Sequence, residues 1–152
     1  MQRVTNCIVI DNNHILVIKK PKHGWYAIPG GKMEQGETIR ESVIREYQEE
    51  TELSLHHPRL AGVFTFSILE DTTSTREWMM YTFVCEHYEG QLTDFCREGE
   101  LEWVEIDRIK SLPMAEGDRM IYEHVLQHET VVTGAFSYTE EDELINYRID
   151  PL

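Results

Sequence analysis

GGKMEQGETIRESVIREYQEETEL, residues 30–53, sets a pair of glycines ahead of a helical pattern loaded with acid. Thr38 can cap that helix with its hydroxyl, and Glu41 three residues on completes a capping box, which predicts where the helix starts. Ile39, Val43, Ile44 and Tyr47 recur at spacings of three and four, so one side of the helix docks on a core. Glu46, Glu49 and Glu50 fall on an adjoining arc of about 100°, beside that seam rather than opposite it. Like charges three or four positions apart on a helix repel by about 0.2–0.5 kcal/mol per pair. A merely solvated acidic face would more naturally lie opposite the seam. The crowding therefore calls for a positive partner.

Working outward, RVTNCIVI and HILVIKK are β-branched runs separated by DNN, which predicts a hairpin over residues 3–20. PKHGWYAIPGGKMEQGE, residues 21–37, is punctuated by Pro and Gly and reads as a loop on a defined path. Downstream, RLAGVFTFSIL (59–69), EWMMYTFVCEHY (77–88) and LEWVEI (101–106) read as strands. IDRIKSL and GDRMIYEHVLQH read as helices, the first short, and VVTGAFSYTEEDELINYRID as two strands joined by an acidic turn. This order predicts an α/β (α+β) fold in which helices pack on a mixed sheet.

A chain of 152 residues fits one domain, residues 1–152, large enough to close a core without staples. Its net charge of −14 argues against stable nucleic-acid binding, which needs a basic footprint. An acidic protein can still take a compact anion such as a triphosphate if divalent cations invert the local field. Cys7, Cys85 and Cys96 are odd in number and lack CxxC spacing, which suits free thiols in a reducing compartment. With neither a signal-peptide pattern nor an apolar run of spanning length, the expectation is a cytoplasmic protein with no membrane partner. His124 and His128 lie one helical turn apart, but with no further ligands at zinc spacing they read as an exposed face. Met79, Met80, Tyr81, Phe83 and Val84 alternate as core and pocket wall together.

Gly31, five residues, Glu37, seven residues, then Arg45-Glu46-Tyr47-x-Glu49-Glu50-x-x-Leu53 forms a long spaced pattern. It resembles the signature of the Nudix hydrolases, G-x5-E-x7-R-E-U-x-E-E-x-G-U with U a bulky apolar residue. Two positions depart from it. Tyr47 is part-polar, and Glu52 stands where the family has a glycine that usually ends the helix in a left-handed conformation, at a cost of about 1–2 kcal/mol for other residues. The pattern also makes chemical sense unaided. Mg2+ is a hard cation that takes carboxylate oxygens and substrate phosphates, and glutamates at i, i+3 and i+4 aim at one spot. Gly30 and Gly31 let backbone approach that spot closely.

The resemblance implies an α/β/α sandwich with a loop-helix-loop motif over residues 31–53. It implies Mg2+, with Mn2+ as a substitute, held by Glu46, Glu49, Glu50 and the carbonyl of Gly30. Arg45 and Glu37 would brace the loop on the helix, with Gly31 as a structural member, and Arg45, Glu46 and Glu49 would belong to the catalytic group. REGELEW, residues 97–103, is similar to a loop that offers the proton acceptor in MutT-like members, with Glu98 the first candidate and Glu100 the second. The C-terminal third, LPMAEGD and then GAFSYTEEDELINYRID, is similar to the oxidised-purine nucleoside triphosphate diphosphatases. That likeness implies that Asp118 reads a purine edge. Ala115 stands where the group often has a tryptophan, so the stacking platform is either lost or supplied by Trp25, Tyr26 or Phe66. Lys20 and Lys32 are candidates for the outer phosphates. The implied activity is cleavage of a nucleotide, such as 8-oxo-dGTP, to monophosphate and pyrophosphate by a monomer or homodimer. Trimming of RNA 5′-triphosphates and nucleotide sensing without turnover remain as alternatives.

Overall fold

The longest apolar runs lie at the centre of the sheet in the computed structural model, which describes residues 1–71 and 73–150. In β1 (Gln2–Asp11) and β2 (His14–Lys19), residues 5–9 and 15–18 are buried without alternation. Strands covered on both faces have this character. The turn between them is made by Asn12 and Asn13, both at positive φ (49° and 64°). Asparagine tolerates that geometry, and a two-residue hairpin turn of this kind requires it.

The remaining strands are β3 (Tyr26–Ala27), β4 (Gly30–Lys32), β5 (Ser54–His56), β6 (Arg59–Glu70), β7 (Thr73–Cys85), β8 (His87–Glu89), β9 (Glu100–Glu105), β10 (Val132–Tyr138) and β11 (Leu144–Ile149). The large sheet runs β11-β10-β6-β7-β1-β2-β3, with β4 added on β1 and β9 on β2. It is mixed, since β1 pairs with β7 and β10 with β6 in parallel while the other pairs are antiparallel. β1 also forks: Val4, Thr5 and Asn6 pair with β4, whereas Ile10 and Asp11 pair with β2.

Helices cover both faces. On one, α1 (Ile39–Thr51) lays Val43 and Tyr47 against Cys7, Val9, Phe83 and Cys85. On the other, α2 (Glu116–Val125) lays Ile121, Tyr122 and Val125 against Ile8, Phe64 and Phe136. Burying each such side chain contributes about 1.5–3 kcal/mol. This is the α/β/α sandwich implied by the resemblance. The phenol of Tyr47 is accommodated in its apolar layer because its hydroxyl donates to the Cys7 carbonyl at 2.6 Å.

Several details differ from the sequence reading. Residues 21–37 are not loop throughout: Tyr26–Ala27 pair with β2 and Gly30–Lys32 with β1. EWMMYTFVCEHY breaks at Glu86, and its end, β8, pairs with β5 in a separate ribbon. IDRIKSL winds as a 3-10 helix, Ile106–Ser111. Segments this short show no hydrophobic period.

The capping box at Thr38 and Glu41 is formed, and α1 ends on Glu52 at φ 67°, ψ 12°. Glu52 thus takes up the left-handed conformation itself. Its N–H donates to Gln48 O at 3.1 Å, Leu53 N donates to Thr51 Oγ1 at 3.0 Å, and Thr93 N donates to Thr51 O at 2.9 Å. These bonds hold the strained residue in place. All three cysteines are free. Among the described residues no helix is long and apolar enough to cross a membrane.

Candidate active site

β4 lies wedged between β1 and the acidic arc of α1, where Gly30 has no room for a side chain and Gly31 faces the Glu46 carboxylate. A Cβ on Gly30 would lie 2.6 Å from Asn6 Cα, and one on Gly31 would run into the Glu46 carboxylate, with Oε1 at 2.8 Å. The glycine pair thus sets the helix-to-strand distance. Gly30 N–H donates to Glu50 Oε2 at 3.2 Å.

Arg45 organises the rest of the helix face. Its Nε and Nη2 donate to the two oxygens of Glu37 at 2.6 and 2.9 Å, and Nη2 also donates to Lys32 O at 3.1 Å. Nη1 donates to Glu46 Oε1 at 2.9 Å and to Glu49 Oε2 at 3.1 Å. The forked pair with Glu37 is the strong geometry for this side chain. It holds the Glu37 carboxyl down at about 2, helped by a backbone N–H donated from Glu34. The Glu46 carboxyl is raised by burial, which outweighs the opposing pull of Arg45.

Glu50 is the uncompensated member. It is 9% exposed, and its Oε1 has no hydrogen-bond partner among the described residues. Burial lifts its carboxyl to about 7; Lys20 opposes the rise, while Glu46 and Glu98 add to it. With Lys20, Gly30, Gly31, Lys32, Glu46 and Glu49, it lines an open cavity of about 870 Å³ rimmed by residues 95–98. On that rim Glu98 is well exposed and lies 3.8 Å from Lys20 Nζ.

Among the described residues no three carboxylate, imidazole or thiol side chains are gathered into a ready-made metal cage. Glu46 and Glu49 are held instead on the Arg45 guanidinium. The donor set nevertheless fits a hard divalent cation: all its donors are oxygens, and one buried carboxylate oxygen is left without a partner. His124 and His128 direct their Nδ1 atoms to the carbonyls of Met120 and His124.

A second pocket, about 200 Å³, is lined by Trp25, Phe66, Ile68, Trp78, Met80, Ala115, Asp118, Tyr138 and Asp142. Phe66 and Trp78 stack at 5.4 Å with planes 9° apart, and Arg76, unassigned by its sequence, lies 5.0 Å over the Trp78 ring. Asp118 is in the first turn of α2, where burial lifts its carboxyl to about 6. That helix is set by Gly117, whose N–H donates to the Tyr138 hydroxyl at 2.7 Å.

The two pockets flank β1. Lys32 of the acidic cavity and Met80 of the aromatic pocket are both register partners of Val4, on opposite sides. At about 4.8 Å per strand spacing, the backbones of these two lining residues stand roughly 10 Å apart. Of the residues singled out in the sequence, Lys20, Gly30, Gly31, Lys32, Glu46, Glu49, Glu50 and Glu98 meet in the first, and Trp25 and Asp118 in the second. Sequence reasoning missed Ile68, Trp78, Tyr138 and Asp142 in the second and Phe95, 76% exposed, on the rim of the first. The acidic turn before ELINYRID was the available signal for Asp142.

Comparison with known proteins bears on this geometry. The NUDIX domain family matches residues 1–125. The chain is 46% identical over 151 residues to an uncharacterised Nudix hydrolase, YvcI, of Bacillus subtilis, covering 99% of this chain and 96% of that protein. The crystal structure of a MutT protein from Bacillus halodurans superposes with a TM-score of 0.97 at 45% identity, covering 100% of this chain and 99% of that one. An oxidised purine nucleoside triphosphate hydrolase of Danio rerio is 28% identical over 122 residues, 80% of this chain and 74% of that protein.

Proposed function

The chain belongs to the Nudix hydrolase family, and on that premise we propose that it splits a nucleoside triphosphate into the monophosphate and pyrophosphate with Mg2+ as cofactor. Its preferred substrate in this reading is an oxidised purine deoxynucleotide such as 8-oxo-dGTP. Enzymes of this family act on nucleoside diphosphate derivatives and generally use divalent metal ions. The observation that carries the reading is the pairing of an aromatic, acid-bearing pocket with a cavity that gathers carboxylates and lysines across one strand. A planar base and a polyphosphate, joined by a pentose, have that polarity and about that span. Support for the oxidised base comes from Asp118, since a carboxylate is an acceptor for ring N–H groups and oxidation at C8 adds one. The relative from Danio rerio, named for oxidised purine triphosphates, points the same way.

In this mechanism Glu46, Glu49, Glu50 and the Gly30 carbonyl would hold Mg2+, or Mn2+ in its place. When bound there, such an ion would supply charge neutralisation for the phosphoryl oxygens and a lowered pKa for water. Arg45 clamps the loop through Glu37 and keeps the carboxylates in register on a rigid helix. Lys20 and Lys32 take the outer phosphates as point charges. Water attacks a phosphorus, pyrophosphate leaves, and Glu98 on the rim receives the proton. Asp118 accepts from the base while Trp25 walls it in.

Incubation with a panel of nucleotides, with Mg2+ and with EDTA, tests the proposal. Equal amounts of monophosphate and pyrophosphate, formed only with the metal and fastest for 8-oxo-dGTP, are expected. Inorganic phosphate as sole product refutes the cleavage position. Tight binding without turnover would make the protein a sensor, and preference for a triphosphorylated RNA over free nucleotides would move the substrate to the polymer end.

A further inference from the structure

The turn between β10 and β11 lies outside the residues that match the family, yet it reaches the aromatic pocket. At its tip Asp142 has φ 65°, and its Oδ2 is shared by Lys22 Nζ at 2.9 Å and His23 Nε2 at 3.1 Å. The His23 ring in turn packs on the indole of Trp25, centroids 4.6 Å apart and planes 37° apart. Trp25 and Asp142 both line the pocket.

The loop they join is anchored differently at its two ends. Its root is closed by backbone bonds, Lys20 N–H to Trp25 O at 2.7 Å and Tyr26 N–H to Pro113 O at 2.9 Å. Its tip carries His23 and Gly24 at φ 64° and 65°, a left-handed pair that is strained at the histidine. The Lys22 ion pair and the His23 hydrogen bond to Asp142 tie that tip down. The Asp142 carboxyl is held low, chiefly by Lys22, as a carboxylate engaged in ion pairing should be.

We propose that Asp142 is a positioning residue: it latches the loop of residues 21–25 to the C-terminal hairpin and so holds Trp25 at the wall of the aromatic pocket. The latch determines how firmly a planar base is enclosed, and it leaves the acidic cavity untouched. The consequence for substrate rests on the reading of that pocket as the base subsite; the latch itself does not. A surface ion pair is individually weak. Here it has only to bias a short loop between closed and open, and apparent affinity scales with the closed fraction.

Asp142→Asn is the decisive change, because asparagine keeps the shape and tolerates the left-handed backbone while losing the charge. Hydrogen exchange on the ligand-free protein is expected to quicken about 3–10-fold for amides of residues 22–26, with residues 39–51 unchanged. KM for the best nucleotide should rise by a similar factor with kcat within about twofold. Turnover of tripolyphosphate, which has no ring, should not change. Lys22→Ala should loosen the loop alone and add nothing on top of Asp142→Asn. Unchanged exchange at 22–26 in Asp142→Asn overturns the latch whether or not the protein is active. Loosened exchange with an unchanged KM overturns its link to substrate. A wild-type protein inert toward every nucleotide, with the loop still loosening in the variant, sinks the proposed function and leaves the latch standing. If Asp142→Asn raises exchange across the whole chain, Lys22→Ala decides: local loosening supports the latch, and none overturns it.

Discussion

Replacing Glu50 with glutamine should make the metal-free protein more stable and, in the proposed reading, inactive. Glu50 is buried, its Oε1 is unpartnered, and its carboxyl titrates near 7 instead of at 4.5. Below pH 4.5 the group is protonated in folded and unfolded chains alike and costs nothing. Between 4.5 and about 7 the unfolded chain gives up its proton first, so stability falls as pH rises. Above about 7 the full cost is in place. At 1.36 kcal/mol per decade the upper bound is about 3 kcal/mol. Solvent screening in the open cavity cuts this to about 1–2 kcal/mol. For a chain of this length that corresponds to roughly 2–8 °C in Tm. Thermal unfolding in EDTA from pH 4 to 8.5 should therefore show Glu50→Gln matching wild type at the acid end and exceeding it by that margin at pH 8. Adding Mg2+ at a hundredfold excess over Kd should raise the wild type by about 2.7 kcal/mol and the variant by much less. A variant no more stable than wild type at pH 8, or a difference that does not change with pH, refutes the reasoning.

Glu52→Gly should relieve the left-handed strain at the end of α1, raising stability by about 0.5–1 kcal/mol after allowance for the freer unfolded chain, with kcat/KM unchanged; chemical denaturation measures it. Gly31→Ala should cost about 1–3 kcal/mol and most of the activity, because its methyl would have to displace the Glu46 carboxylate; a fully active variant would show that β4 can shift. Asp118→Asn should raise KM for purine triphosphates at least tenfold while leaving tripolyphosphate turnover intact. Since the Asp118 carboxyl titrates near 6, the wild-type KM should climb as pH falls below about 6 and the asparagine variant should lose that dependence; parallel profiles would remove Asp118 from base reading.

The acidic helix was legible because everything that defines it is local. The Thr38 cap, the apolar seam and the spacing of the glutamates all lie within a few turns, and α1 has them where the spacing put them. The aromatic pocket was not, because no short segment contains it. Phe66 and Trp78 face each other through the β6–β7 register, Tyr138 arrives through the parallel pairing of β10 with β6, and Asp118 arrives on a helix fixed by a bond from Gly117. Each pairing joins distant residues, and sequence period cannot specify a partner that far away. Residues 26–32 were read as loop for a related reason: β3 and β4 owe their pairing to β1 and β2, and have too few residues for a pattern of their own.

Arg45 resolves the question posed by the crowded glutamates, and it does so unevenly. One guanidinium holds Glu37 in a fork and still reaches Glu46 and Glu49, so two of the three helix acids in the cavity have a cationic hydrogen-bond partner without any added ion, though three carboxylates share its one charge. The third, Glu50, is turned toward Gly30 and remains short of a partner. A cation entering the cavity would gain Glu50 outright but would have to compete with Arg45 for the other two. Affinity should consequently be moderate, well below that of a cage of three free carboxylates, and dependent on phosphate oxygens that add ligands and charge from the substrate side. Such an arrangement favours assembly of metal and nucleotide together over tight binding of either alone. Calorimetry should find Mg2+ uptake strengthened by a non-hydrolysable nucleotide, and an equal strengthening of the nucleotide by Mg2+, because the coupling is reciprocal.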